Sequence, residues 1–256
     1  MQIVGYETEP VGDPSSAALL VASDGAVDRR TLEPGDELAY RLDDRHCAGV
    51  VENGTHRTCE HESAPYCEEH TSRWPCARCV GDCTLPLPSC REEHAVYLAA
   101  FAPETFKVGV TRSWRLETRL REQGADRAAH LRTVEDGRVA RQIERDIATE
   151  ISDRVRIPTK VNGLHRSVEE SAWKSLLAEF DPLATYSFDY GLALGRRPQR
   201  ETLATGTVEG TKGRLLVLRN RGTTYAVDMR DLVGHELSDG DGRTDKQLQS
   251  SFATFE

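Results

Sequence analysis

CAGVVENGTHRTCEHESAPYCEEHTSRWPCARCVGDCTLPLPSC, residues 47–90, holds all seven cysteines of a 256-residue chain. Cysteines gathered this tightly in a cytosolic chain read as metal ligands or redox groups, not as disulfides. Their order is Cys47, Cys59, Cys67 with His70 close behind, then Cys76, Cys79, Cys83 and Cys90. Two sets of four separate naturally, with His70 completing the first. Each set suits a tetrahedral sulfur or sulfur/nitrogen shell that leaves no position open to a substrate, so the spacing points to two structural zinc ions. Gly49, Gly54 and Gly81 supply the tight backbone such knuckles need. His46, His56, His61 and His94 remain as alternative ligands. A redox pair at Cys76 and Cys79 would leave the other cysteines unexplained, and a histidine in the first set favours zinc over an iron–sulfur cluster. The pairing of Cys67-Glu68-Glu69 with Pro75-Cys76-Ala77-Arg78-Cys79 echoes a zinc deaminase. The two motifs are too close, however, for the strand and helix that chemistry places between them.

The rest of the chain fits a protein of several small modules. Hydrophobic residues make up 38% of it, which is sparse for one large core, and a metal staple offsets that shortage. No apolar run is long enough to span a bilayer, and Met1-Gln2-Ile3-Val4-Gly5 lacks the basic start and apolar stretch of a signal peptide. The expectation is a cytoplasmic protein without a membrane partner. A net charge of −9 speaks against indiscriminate coating of nucleic acid. Among the cations only Lys107, Lys160, Lys174, Lys212 and Lys246 are lysines. Such an arginine-rich, acidic chain suggests a GC-rich and salt-adapted source, where acidic surface maintains solubility.

Four consecutive modules are expected, making an α+β architecture: an N-terminal β segment (1–45), a zinc-binding module (46–93), an α+β domain (94–182) and a small β domain (183–256). In the first, Ile3–Glu7, Ala17–Ala22 and Glu37–Leu42 carry strand patterns between turns rich in Pro, Gly and Asp. In the third, Ala95–Ala102 and Phe106–Thr111 read as a hairpin. Ser113 is placed to cap a helix ending at Gly124, and residues 128–134 read as a further strand. Asp136 caps a second helix, with Val139, Ile143, Ile147 and Ile151 on one face, and Pro158 closes that region. Ser167 with Glu170 forms a capping box for a third helix that presents Trp173, Leu176, Leu177 and Phe180. The last module alternates strands with glycine-rich turns over 205–218 and at 224–228, as in a small barrel or meander. The arginines from Arg112 to Arg145 are either a salt-bridged helical surface or an arginine-lined phosphate groove.

Within the α+β domain, Ala95-Val96-Tyr97 and Lys107-Val108-Gly109 fall on the two strands of the hairpin, Arg119-Leu120 on the first helix and Glu144 on the second. In these residues and their order the segment resembles the GIY-YIG endonuclease superfamily, with Ala95 and Lys107 departing from the two signatures, Gln123 standing where a His or Tyr is usual, and Asn162 in the place of a late asparagine. The resemblance implies a ββαβα core, a phosphodiester substrate and one divalent cation, Mg²⁺, held by Glu144. It implies further that Arg119 clamps a phosphate, that Tyr97 positions the attacking water, and that Lys107 binds phosphate. It also admits a member that has lost catalysis and serves as an RNA- or protein-binding module. The chain as a whole is similar to an uncharacterised prokaryotic family, mostly archaeal and bacterial, that joins a cysteine-rich segment to a GIY-YIG-like domain. Nucleic acid, DNA or RNA, is the expected partner, with a protein partner as the rival.

Overall fold

The computed structural model describes residues 1–9, 16–71, 81–83 and 88–240. In chain order the elements are β1 (Gln2–Glu7), β2 (Ala18–Ser23), β3 (Ala26–Thr31), β4 (Glu37–Arg45), β5 (Val50–Glu52), β6 (Thr55–Arg57), β7 (His94–Phe101), β8 (Thr105–Arg112), α1 (Leu116–Glu122), β9 (Arg127–Val134), α2 (Gly137–Ile147), α3 (Ile157–Gly163), α4 (Glu170–Leu177), β10 (Ala184–Ser187), β11 (Gln199–Arg200), β12 (Ala204–Lys212), β13 (Leu215–Asn220), β14 (Thr223–Asp228), α5 (Met229–Leu232) and β15 (His235–Asp239). Among the described residues no helix is long and apolar enough to cross a membrane.

The chain groups into two compact units, and they differ from the four consecutive modules expected. The first takes its described residues from 1–9, 16–71 and 199–240; the second from 81–83 and 88–198. The physical reason lies in strand pairing. β4 bonds to β12 on one side and to β15 on the other, and β15 bonds in turn to β1. The N-terminal strands and the C-terminal meander therefore build one sheet of eleven strands, ordered β11-β14-β13-β12-β4-β15-β1-β2-β3-β6-β5. Its core is a single cluster that draws Ile3, Leu19 and Val21 together with Leu216, Leu218, Val227 and Leu232. Neither segment has enough apolar residues alone, so the sparse composition is met by pooling them. Of the barrel or meander expected at the C-terminus, the meander is present as β12-β13-β14, but it is continuous with the N-terminal strands and not a separate module.

The cysteine segment divides as well. Residues 46–71 grow out of this sheet: β6 pairs with β3, and β5 turns into β6 through Asn53-Gly54. Both turn residues have positive φ (51° and 77°), the backbone that a two-residue hairpin with right-handed strand twist demands.

The second unit is a four-stranded antiparallel sheet ordered β10-β9-β7-β8. β7 is central and buried on both faces. Ala95, Tyr97, Ala99 and Phe101 meet Leu116 and Leu120 of α1, while Val96, Leu98 and Ala100 meet α2 and α4 through Ala140 and Trp173. The expected ββαβα order is present, with corrections at the helix ends. Asp136 caps α2 as read, accepting from the Arg138 N–H at 2.7 Å. Ser113 does not cap α1; it opens a 3-10 turn, Ser113–Arg115, and α1 follows it. Ser167 makes no cap either, because α4 starts later, after Glu169. Pro158 opens α3 instead of closing the region, since a proline's missing N–H costs nothing in a first helical turn. Val139 is 43% exposed, so the apolar face of α2 rests on Ile143 and Ile147.

Candidate functional site

Two constellations of chemically active side chains occur among the described residues, one in each unit. In the first unit, one ligand atom each from Cys47, Cys59, Cys67 and His70 all lie within 4.8 Å of one another. Cys47 follows β4, Cys59 follows β6, and Cys67 and His70 share one tight turn. That turn is closed by the His70 and Thr71 N–H groups donating to the Cys67 carbonyl at 3.2 and 2.8 Å. His70 Nδ1 stands 3.3 Å from both Cys47 Sγ and Cys67 Sγ. A tetrahedral zinc shell with bonds near 2.0–2.3 Å sets its ligand atoms about 3.5–3.8 Å apart, so the cluster has the size and the soft donor set for such an ion. Burial raises the Cys67 thiol. Against it, the backbone N–H groups of His70 and Glu69 and the side chains of Cys47 and His70 bring it down to about 7. Thiolate is the form that ligates a metal. The three cysteines are free thiols.

Structural support for the cluster comes from close backbone. Gly49 has φ +62°, and a Cβ there would run into the Arg57 carbonyl. The Cys47 N–H donates to the His61 carbonyl at 2.8 Å and the Ala48 N–H to that of Pro65 at 2.9 Å, lacing both sides of the loop. The alternative histidines are engaged elsewhere. His46 contacts the Cys59 carbonyl and Glu236, His56 the Ala48 carbonyl, His61 the Ser63 N–H and His94 the Glu92 carbonyl. In the second cysteine set, Cys76 and Cys79 lie outside the described residues; Cys83 is exposed and Cys90 half-buried.

In the second unit, Tyr97 on β7 and Lys107 on β8 each feel the charges of Arg119 on α1 and Glu144 on α2. The hairpin places Tyr97 opposite Gly109, and the absence of a side chain there is required: a Cβ on Gly109 would lie 2.5 Å from the Tyr97 hydroxyl. Tyr97 is only 2% exposed. Its hydroxyl accepts a hydrogen bond from the Gln123 amide at 2.8 Å. Burial pushes the phenol up and Glu144 adds to the rise, while Arg119 and Gln123 oppose it. Lys107 is brought down to about 8, first by burial and then by Arg119, with Glu144 and Asp153 pulling the other way. Arg119 donates to Glu122 at 3.2 Å and keeps about half its side chain in solvent. Glu144 is 14% exposed and holds Arg141 at 2.6 Å. Asn162 is exposed on α3.

Arg141 and the other arginines settle the earlier alternative largely toward a salt-bridged surface. Arg115 and Arg119 share Glu122, Arg121 meets Glu117, Arg127 meets Glu170, and Arg145 meets Asp82. Two residues that matter here were not marked for these roles by the sequence. Gln123 drew notice only as a departure, although its place one helical turn after Arg119 puts it on the same face. Asp153 follows α2, where the backbone passes beside β8: the Val108 N–H donates to the Ser152 carbonyl at 3.0 Å.

Chemically, the first site is a complete donor set and the second is not. Four soft ligands complete a shell and leave nothing for a substrate. A cationic pair, a buried phenol and a carboxylate can receive an anion, and the carboxylate is a donor suited to a hard divalent ion that keeps its waters. Neither curated proteins nor solved structures yield a match to the chain. The family described as a protein of unknown function, DUF2797, matches it over residues 40–191, well over half its length, and the chain belongs to that family.

Proposed function

We propose that this protein binds nucleic acid through its second unit, a GIY-YIG-type domain, carried by a chain stapled with zinc, and that it hydrolyses phosphodiesters there with a divalent cation. The observation that supports the reading is that Tyr97 and Lys107, on neighbouring strands, both feel Arg119 of one helix and Glu144 of another. Arg119 presents a planar fork that stays charged and pairs with two phosphate oxygens. Lys107 adds a second positive charge from the neighbouring strand. Tyr97 orients water or phosphate through a hydroxyl that Gln123 holds in place; raised by burial, it remains protonated and serves as a donor, not as a base. Glu144 is the residue that would hold Mg²⁺, which when bound neutralises charge on a phosphate oxygen and on the leaving group.

In the same reading the zinc is scaffold and amounts to two ions. Cys47, Cys59, Cys67 and His70 hold one, and Cys76, Cys79, Cys83 and Cys90 the other. Metal analysis of the purified protein is expected to give close to two zinc ions per chain, and a value near one removes the second site.

A second reading draws support from the Arg141–Glu144 pair, which occupies one carboxylate oxygen at 2.6 Å. In it the domain binds RNA or a protein and no longer cleaves. Incubating labelled DNA and RNA with the protein across divalent cations and salt separates the two. Hydrolysis predicts that wild type cleaves and that Glu144→Ala binds without cleaving. Binding by wild type without cleavage under every condition selects the second reading.

A further inference from the structure

Trp114 sits in the 3-10 turn between β8 and α1 with 71% of its surface in solvent. A lone exposed indole is not in itself a site; what sets this one apart is the company it keeps. The ring is also held in place. Its N–H donates to Glu92 at 3.2 Å, and Arg112 reaches the same carboxylate at 3.5 Å. The guanidinium carbons of Arg112 and Arg115 each lie 5.9 Å from the ring centroid. From there a chain of ion pairs leads to the proposed phosphate site: Arg115 to Glu122 at 2.8 Å and Glu122 to Arg119 at 3.2 Å. Arg112, Arg115 and Arg119 thus share one strip with Glu92 and Glu122.

A fixed, largely exposed indole with two guanidinium groups over its ring matches the chemistry of an unpaired nucleotide. Any base stacks on such a ring because every base has a π-face, and the arginines meet the phosphates that follow. A duplex offers little to the same surface, since its base faces already cover one another. We infer that Trp114 is a base-stacking platform that, with Arg112 and Arg115, takes an unpaired strand and leads its backbone toward Arg119. This rests on the nucleic-acid reading above and deepens it by naming single-stranded nucleic acid as the ligand class.

Fluorescence anisotropy with a labelled short oligothymidine, alone and annealed to oligoadenosine, tests it on wild type, Trp114→Ala, Trp114→Phe and Arg119→Ala. Circular dichroism checks that each variant is folded. Trp114→Ala is expected to weaken single-strand binding roughly 5- to 150-fold, the loss of one stacked base, and to leave duplex binding essentially unchanged. Trp114→Phe is expected to retain most of the affinity. If Trp114→Ala binds the single strand as wild type does while Arg119→Ala binds it poorly, the platform is refuted and the phosphate site stands. Equal losses on single strand and duplex refute it too. If Trp114→Ala loses affinity and Arg119→Ala does not, the platform stands and Arg119 is no phosphate clamp. Wild type that binds neither form overturns both.

Discussion

The Cys47–His70 cluster and the Tyr97–Glu144 cluster are built from opposite materials. The first comes from loops that follow short strands, with a donor set complete in itself. The second comes from regular elements, Tyr97 on a strand buried on both faces, with Tyr97 and Lys107 shifted from their ordinary pKa chiefly by burial. A loop cluster of this kind is held by its ligand bonds, whereas the second holds its groups in place without needing a ligand. Removal of the metal should therefore undo the first region and spare the second, and loss of single side chains should silence the second without unfolding it.

The largest effect is expected from stripping the metal. Structural zinc contributes on the order of 10 kcal/mol of apparent binding in small modules, so chelation, or Cys67→Ser, should melt residues 46–71 and open them to protease. Limited proteolysis read by mass spectrometry would place the new cuts. Cuts that appear first in 94–187 would reverse the assignment of scaffold and site.

Glu144→Ala comes next. If Glu144 holds the cation as proposed, its loss should remove several kcal/mol of transition-state stabilisation, a fall of about 100-fold or more in cleavage rate. Thermal unfolding should shift little, because the carboxylate's partner Arg141 is itself partly solvated. A large stability loss instead would make the Arg141–Glu144 pair a structural element.

A smaller change is expected at Gly109. Its replacement by Ala puts a Cβ 2.5 Å from the Tyr97 hydroxyl and should cost about 1–3 kcal/mol in urea unfolding by overpacking. Weakened ligand binding should accompany that cost, as Tyr97 is displaced from Gln123. Wild-type stability and binding in Gly109→Ala would show that Tyr97 need not sit there.

The smallest effect is a pH dependence. Lys107 titrates near 8, below its ordinary 10.5, chiefly because burial disfavours its charge. Anion binding should weaken as pH rises through about 8 and the charge is lost, and Lys107→Met should flatten that profile. Stability runs the other way. Between about 8 and the ordinary lysine value the unfolded chain binds the extra proton, so the folded state gains as pH rises across that window. An affinity profile that is the same in Lys107→Met and wild type would assign the dependence to another group.

The two clusters also differ in how far the sequence reveals them. Cys47, Cys59, Cys67 and His70 are legible because ligand chemistry restricts residue type so strongly that composition alone nearly names the set. The strands of the second unit are legible from period, as in Ala95–Ala102, and so is the Asp136 cap, a purely local hydrogen bond. The union of N- and C-terminal strands in one sheet is not, since β4 meets β12 and β15 across most of the chain and no local pattern encodes that pairing. β3 escapes for a different reason: Ala26–Thr31 is almost wholly exposed and carries no apolar alternation. Gln123 escapes because its role depends on where Tyr97 lies in three dimensions.

The most direct test of the contrast between scaffold and site is a chemical-shift map of the zinc-loaded, isotopically labelled protein titrated with a short single-stranded oligonucleotide. The account predicts perturbations at Tyr97, Lys107, Trp114, Arg119 and Glu144, with Cys47, Cys59, Cys67 and His70 unmoved. Perturbations gathered around Cys67 and His70, with the Tyr97 cluster silent, would contradict it.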